Sequence, residues 1–316
     1  MSASVAVRKF AQILGLFGSE LPNQSDTSNL NDSSVPLNPK FAKVPTENSC
    51  ELRVRDTSAV LRRLAVAALL ATPLLTAHAE IPLNERRSGY EDMSADNKAM
   101  QDDDTANPAM LSALDGEALW QAKAGSAGKS CADCHGDATE KMKGVAARYP
   151  AFDDKLGGPV DLEQRINLCR ERHQNATPFT FESKELLALT TYLGLQSRGE
   201  PIAPTADPRL APFIEQGRAI YNQRQGQLNL ACAQCHDDNW GKSLAGNKVP
   251  QAHPTGYPIY RLEWQSVGSL QRRLRNCMIG MRAEPYPFGS AEHVNMELYL
   301  MWRARGMKVE TPAVRP

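Results

Sequence analysis

Cys131, Cys134 and His135 stand in the order CADCH, and Cys232, Cys235 and His236 repeat it as CAQCH. CxxCH is the attachment pattern for c-type haem: two thiols form thioethers with the vinyl groups and the histidine ligates iron. Two intervening residues let both sulfurs reach one porphyrin edge. A zinc site would set a second ligand pair close by, whereas these motifs lie 101 residues apart. A CxxC redox pair has no need of the histidine. The expectation is two covalently bound c-type haems, on Cys131/Cys134 and Cys232/Cys235.

Sixth ligands come next. Each repeat carries one further cysteine at the same place, Cys169 after LEQRINL and Cys277 after LQRRLRN. A thiolate is a strong donor to ferric iron, which predicts His135 with Cys169 on one iron and His236 with Cys277 on the other. Met142 is the first repeat's methionine after its motif and lies too close to His135 to reach the far face. His173, Met278 and Met281 stay open as rivals, as do structural thiols or a disulfide between domains. His253 and His293 lack counterparts in the first repeat and read as loop or surface residues. Arg272, Arg273, Arg275 and Arg282 surround Cys277 in sequence. Arg273, four residues before it, shares its helix face. Arginine lowers a neighbouring thiol pKa and binds small dianions, so sulfur chemistry is indicated at Cys277.

These residues need elements to hold them, and the duplication names them. Gly116, Trp120 and Gly125 precede the first motif as Gly217, Tyr221 and Gly226 precede the second. Helical patterns follow the single cysteines, over Glu185 to Leu193 and Asn295 to Trp302. Each half reads helix, CxxCH, long haem-wrapping loop, short helix ending in cysteine, final helix. The fold expected is mainly α, two tandem cytochrome c-type domains related by internal duplication. The proline-rich stretch 200–212 divides them, giving domains at 80–205 and 206–316.

Residues 1–79 read as a leader. Arg62 and Arg63, an apolar run from Leu64 to Leu75 and Ala77-His78-Ala79 form a signal peptide over 51–79, so the mature chain begins near Glu80. The run is too short for a membrane anchor. Residues 1–50 carry no pattern, and a signal peptide starts near its own basic region. Translation is therefore expected to begin near Leu52 or Val54, which removes Cys50. Haem attachment outside the cytoplasm and export agree on the periplasm. Thirty-six basic and 36 acidic residues leave zero formal charge, so nothing in the charge argues for nucleic acid or an anionic membrane as partner, and neither is expected.

Over about residues 80–316 the chain resembles the SoxA family, the L-cysteine S-thiosulfotransferase component of SoxAX cytochromes. The resemblance rests on RSGYEDMSADNKAMQDDDTANPAML, CADCHGDA, GVAARYPAFD, RINLCRERHQNATPF, SKELLALTTYL, CAQCHDDNWGK, HPTGYPIYRLEWQ and RRLRNCMIGMRAEP. It implies that Cys277 is both axial ligand and persulfide-bearing catalytic residue, that Arg273 binds thiosulfate, and that Cys169 ligates the first haem. It implies a SoxX-type monohaem cytochrome as heterodimer partner, a SoxYZ carrier whose cysteine receives thiosulfate, and a soluble cytochrome c that takes the electrons. Three other readings remain open: a purely electron-transferring dihaem cytochrome, a dihaem peroxidase, and a tetrathionate-forming thiosulfate dehydrogenase.

Overall fold

Glycine decides how each half is assembled. In this computed structural model, which describes residues 81–316 other than 205, 206 and 245, helix α2 (Ala109–Gln121) packs along α6 (Lys184–Leu195), and α7 (Ala211–Asn222) along α10 (Ala291–Arg303). A Cβ at Gly116 would overlap the Ala188 carbonyl, and one at Gly217 would overlap the Asn295 carbonyl. The helix backbones touch there, and no other residue type allows it. Beside each crossing an aromatic pair fills the space, Trp120 with Tyr192 at 6.3 Å and Tyr221 with Tyr299 at 5.4 Å between ring centroids. The leader expected over 1–79 lies outside the described residues.

The inner helix of the first pair is buried on nearly every side, from Leu186 to Gly194. Its two polar residues survive there because Thr190 and Thr191 donate to the Leu186 and Leu187 carbonyls one turn back. Each fully buried leucine contributes about 1.5–3 kcal/mol. Leu186 and Leu189 therefore anchor the first core, as Met296 and Leu300 anchor the second.

The helical turns α3 (Cys131–His135) and α8 (Cys232–His236) follow the outer helices. Between each and its single-cysteine helix, α5 (Leu162–Cys169) or α9 (Leu270–Gly280), the loop folds into a two-stranded antiparallel hairpin. In the first half Ala151–Asp153 (β1) pairs with Gly158–Val160 (β2), Asp153 opposite Gly158. In the second Ile259–Arg261 (β5) pairs with Ser266–Gly268 (β6), Arg261 opposite Ser266. The sequence pattern predicts a loop at both places, and three-residue strands are too short to announce themselves by alternation. A short exposed hairpin, β3 (Ser243–Leu244) with β4 (Asn247–Lys248), belongs to the second half. The helix α4 (Ala138–Lys141) belongs to the first.

The halves join where the N-termini of α5 and α9 meet. Gln271 donates to Asp161, the cap of α5, at 2.8 Å, Gln164 donates to Gly289 O at 3.0 Å, and the Ser269 amide donates to Glu182 at 3.2 Å. Asp161, Glu163 and Glu297 are buried together at this seam, with oxygens within 4.8 Å of one another. Burial first, then their mutual repulsion, raises Glu163 and Glu297 well above the usual carboxylate range, and burial lifts Asp161 to about 6.

The segment before α2 crosses to the other half. Helix α1 (Ala95–Asp102) lies on β7 (Ala313–Arg315), which extends the second hairpin by pairing parallel to β5. Gln101 accepts from the Val314 amide, Asn107 donates to Pro312 O, and Ser88 donates to Glu310.

Candidate functional site

Each CxxCH turn is held from behind by the aromatic residue that the duplication aligns. Trp120 Nε1 donates to Gly136 O at 3.0 Å, just past the first motif, and its ring lies 5.7 Å from that of His135. Tyr221 donates to Asp237 at 2.9 Å, just past the second, and Arg303 holds the same carboxylate at 2.6 Å. Ser130 and Asp133 cap the first turn reciprocally. In a helical turn the cysteines sit at i and i+3, one above the other, and the histidine at i+4 follows on the same side.

The first cavity has a volume of about 660 Å³. Cys131, Cys134 and His135 form one wall and Cys169 another, with Leu162, Ile166, Leu189 and Leu193 supplying apolar surface. This donor set suits a haem: two thiols for attachment, a nitrogen and a sulfur for the iron, and a greasy bed for the ring. Met142 and His173 also line it. Burial pushes the Cys169 thiol pKa up, and Arg165 and Arg172 only partly oppose this. Both arginines are committed elsewhere, to buried Asp153 at 2.9 and 3.0 Å. Those contacts, the Arg172 hydrogen bond foremost, hold Asp153 far below its ordinary pKa.

The second cavity, about 210 Å³, brings together His236, Arg261, Arg273 and Cys277. His236 Nδ1 lies 2.6 Å from Pro250 O. A carbonyl only accepts, so Nδ1 holds the ring proton and Nε2 is left with its lone pair, the state an iron ligand requires. The ring also hydrogen-bonds Cys277. Burial is the largest effect on that thiol and works to raise its pKa. The His236 hydrogen bond, then the Arg273 and Arg261 guanidinium groups, outweigh burial, and the net shift is downward. Arg261 is paired with exposed Glu263 at 2.9 Å through one terminal nitrogen, while its buried Nε has no partner. Two guanidinium groups beside one sulfur make a receptor for a small dianion.

Of the four arginines that flank Cys277 in sequence, Arg273 alone lines this cavity. Arg272 lies over the Trp264 ring and faces Glu182 at 3.8 Å; Arg275 donates to Tyr286 O and lies over Phe288; Arg282 is exposed. The helix turn explains the sorting, since only the residue at i−4 shares the sulfur's face. The two histidines expected in a loop or on the surface are both buried. His253 is 9% exposed and His293 1%. His253 stands in a loop, but one sealed by the segment before α1, and His293 lies in the first turn of α10 against Tyr286 and Phe288. Arg261 and His253 escaped the sequence reading because one needs the hairpin and the other the crossing N-terminal segment to reach the site. A usable signal existed: Asp153 and Arg261 stand at the same offset as Cys169 and Cys277.

The family described as SoxA/TsdA, cytochrome c domain, matches residues 115–202 and again 216–309. The chain is 40% identical over 235 residues to the L-cysteine S-thiosulfotransferase subunit SoxA of Pseudaminobacter salicylatoxidans, covering 74% of this chain and 82% of that protein. It is 34% identical over 239 residues to the subunit of the same name from Rhodovulum sulfidophilum, covering 76% and 83%. Among solved structures, SoxXA from P. pantotrophus matches with a TM-score of 0.70 at 32% identity, over 73% of this chain and 87% of the other.

Proposed function

The chain belongs to the SoxA/TsdA cytochrome c family, and from there we propose that it is an L-cysteine S-thiosulfotransferase joining thiosulfate to a cysteine of a SoxYZ-type carrier. The observation that carries this reading is the convergence of Cys277, His236, Arg273 and Arg261 on one cavity. Tandem cytochrome c domains imply covalent haem. Two are proposed, on Cys131/Cys134 and Cys232/Cys235, with His135 and Cys169, and His236 and Cys277, as axial pairs. The domains are proposed to divide at 205/206. Bound haem supplies one-electron acceptance.

The protein's own residues do the rest. Arg273 and Arg261 fix the sulfonate oxygens of thiosulfate and point its outer sulfur at Cys277. Cys277, held as a thiolate by its cationic neighbours, joins the outer sulfur of thiosulfate as two electrons leave to the cytochrome acceptor. It carries that second sulfur between steps and is released when the carrier thiolate takes the thiosulfate from it. Pro250 O holds the His236 tautomer. Forming an S–S bond between two thiol-level sulfurs releases two electrons. A SoxX-type monohaem cytochrome, like the one named with the P. pantotrophus structure, is the proposed partner, and a soluble cytochrome c the final acceptor. The location proposed is the periplasm. No helix among the described residues is long and apolar enough to cross a membrane.

The test is a reconstitution of the haem-loaded protein with its partner cytochrome, reduced carrier, thiosulfate and oxidised cytochrome c. The expected result is a carrier mass increased by one thiosulfate, with two electrons counted per conjugate. Tetrathionate formed at the same rate without carrier would overturn the reading.

A further inference from the structure

His253 lines the cavity that holds Cys277 and Arg273, yet nothing in the reaction as described uses it. It comes from the loop between β4 and β5 and is nine-tenths buried. Its Nδ1 lies 3.0 Å from Arg87 O, in the segment that crosses over from before α1. As at His236, a carbonyl partner fixes the proton on Nδ1 and leaves the Nε2 lone pair free. Among the described residues Nε2 has no hydrogen-bond partner. Burial above all holds the pKa down, to about 4, against the pull of the Arg87 carbonyl; Arg303 and Arg86 add to the lowering and Asp237 opposes it. The resting ring is therefore neutral, able to accept a proton and already oriented.

The chemistry requires such an acceptor. When a carrier thiol joins thiosulfate, its S–H bond breaks and a bond forms between its sulfur and the outer sulfur of thiosulfate. One proton and two electrons leave. The electrons go to the cytochrome acceptor. Arg261 and Arg273 are donors only and cannot take the proton. Asp92, on the same cavity wall, faces Arg87 at 3.8 Å and Lys248 at 3.9 Å.

We propose that His253 Nε2 is the general base that takes the proton from the carrier's cysteine thiol as the S–S bond forms, and releases it to solvent through the cavity mouth. The inference rests on the conjugating reaction proposed above. A thiosulfate dianion on the two arginines brings negative charge into the cavity. That charge raises the affinity of the imidazole for a proton at the moment one must be taken.

His253→Asn is the variant to make. Its amide nitrogen takes the place of Nδ1 and still donates to Arg87 O, while nothing replaces Nε2. In the haem-loaded complex with carrier, kcat near neutral pH should fall about 100-fold. Haem spectra and reduction potentials should stay those of wild type. The loss should shrink about tenfold per pH unit towards the carrier thiol pKa, about 8.5, because the thiol then ionises unaided. A loss equal at every pH would mark a structural role and overturn the proposal. So would a wild-type rate, or a shifted potential of the second haem, which would make His253 a partner of the haem. Should His253→Asn not fold, a wild-type kcat unaffected by deuterated solvent overturns the proposal, and a kcat lowered in deuterated solvent supports it. A wild-type protein that forms no conjugate breaks the functional reading; a conjugating wild type with an unimpaired variant breaks this inference alone.

Discussion

The two halves place a cysteine at the same point of the same helix and give it opposite character. Cys169 is pushed towards the neutral thiol and Cys277 towards the thiolate. The helices differ little, for Arg165 and Arg273 each stand four residues before their cysteine. Part of the difference is the His236 hydrogen bond, which Cys169 lacks, and part lies in the hairpin. Asp153 at the end of β1 binds Arg165 and Arg172 and offsets part of their effect on Cys169. Its counterpart at the end of β5 is Arg261, which adds a second cation to the cavity. One carboxylate exchanged for one guanidinium turns a neutralised wall into an anion receptor. On the function proposed above, a duplicated scaffold keeps one copy for holding a cofactor and remakes the other for chemistry, with the hairpin end as one of the changes.

Removing the sulfurs should separate the halves most. Cys277→Ala should lower conjugation by at least about 1,000-fold, whereas Cys169→Ala should leave the rate within about tenfold and alter the spectrum of one haem only. Equal losses would end the division of labour. Copying the first hairpin into the second comes next. Arg261→Asp should raise KM for thiosulfate about 100-fold, as expected when a charge-assisted contact worth about 1.5–3 kcal/mol is replaced by repulsion. An unchanged KM would mean that Arg261 does not face the substrate. Arg273→Lys keeps the charge and loses the fork, so KM should rise about tenfold with spectra intact. Arg165→Lys, its counterpart, should leave KM as it was.

The smallest effect concerns stability against pH, measured by chemical unfolding. Asp153 has a lowered pKa when folded, so its contribution is present above the ordinary aspartate value of 3.8 and is lost as pH falls below it. The seam carboxyls have raised values, so their contribution is complete below the ordinary carboxylate range and is lost as pH rises through about 6 and beyond. Glu163→Gln should therefore flatten the decline on the neutral and alkaline side, by up to about 1.4 kcal/mol per pH unit, and leave the acid side alone. A variant curve parallel to wild type would place the protons elsewhere.

Much of this was legible in sequence. CxxCH spacing is set by covalent chemistry and survives any fold. The outer helices showed through the aligned Gly116, Trp120, Gly217 and Tyr221, but that the two glycines mark backbone contacts with a second helix shows only in the structure. Cys169 and Cys277 showed through rarity and position. The hairpins did not show, since three-residue strands have no period to read. With them went Arg261, and the sorting of Arg272, Arg275 and Arg282 away from the cavity. His253 was misplaced because its burial comes from Arg87, which lies 166 residues away in the chain. The seam was invisible for the same reason: Asp161 and Gln271 meet only after both halves exist.

The bond from Ser88 to Glu310 spans 222 residues, and the Gln101 contact with Val314 nearly as many. A chain made N-terminus first therefore has the opening wall of its second cavity in hand long before the closing strand arrives. Until β7 emerges, α1 has no strand to lie on, and the second cavity lacks Arg315 from its lining. The last strand to appear is the one that pairs with β5 and receives α1, so that joint between the two ends of the chain forms only after both CxxCH segments have been made.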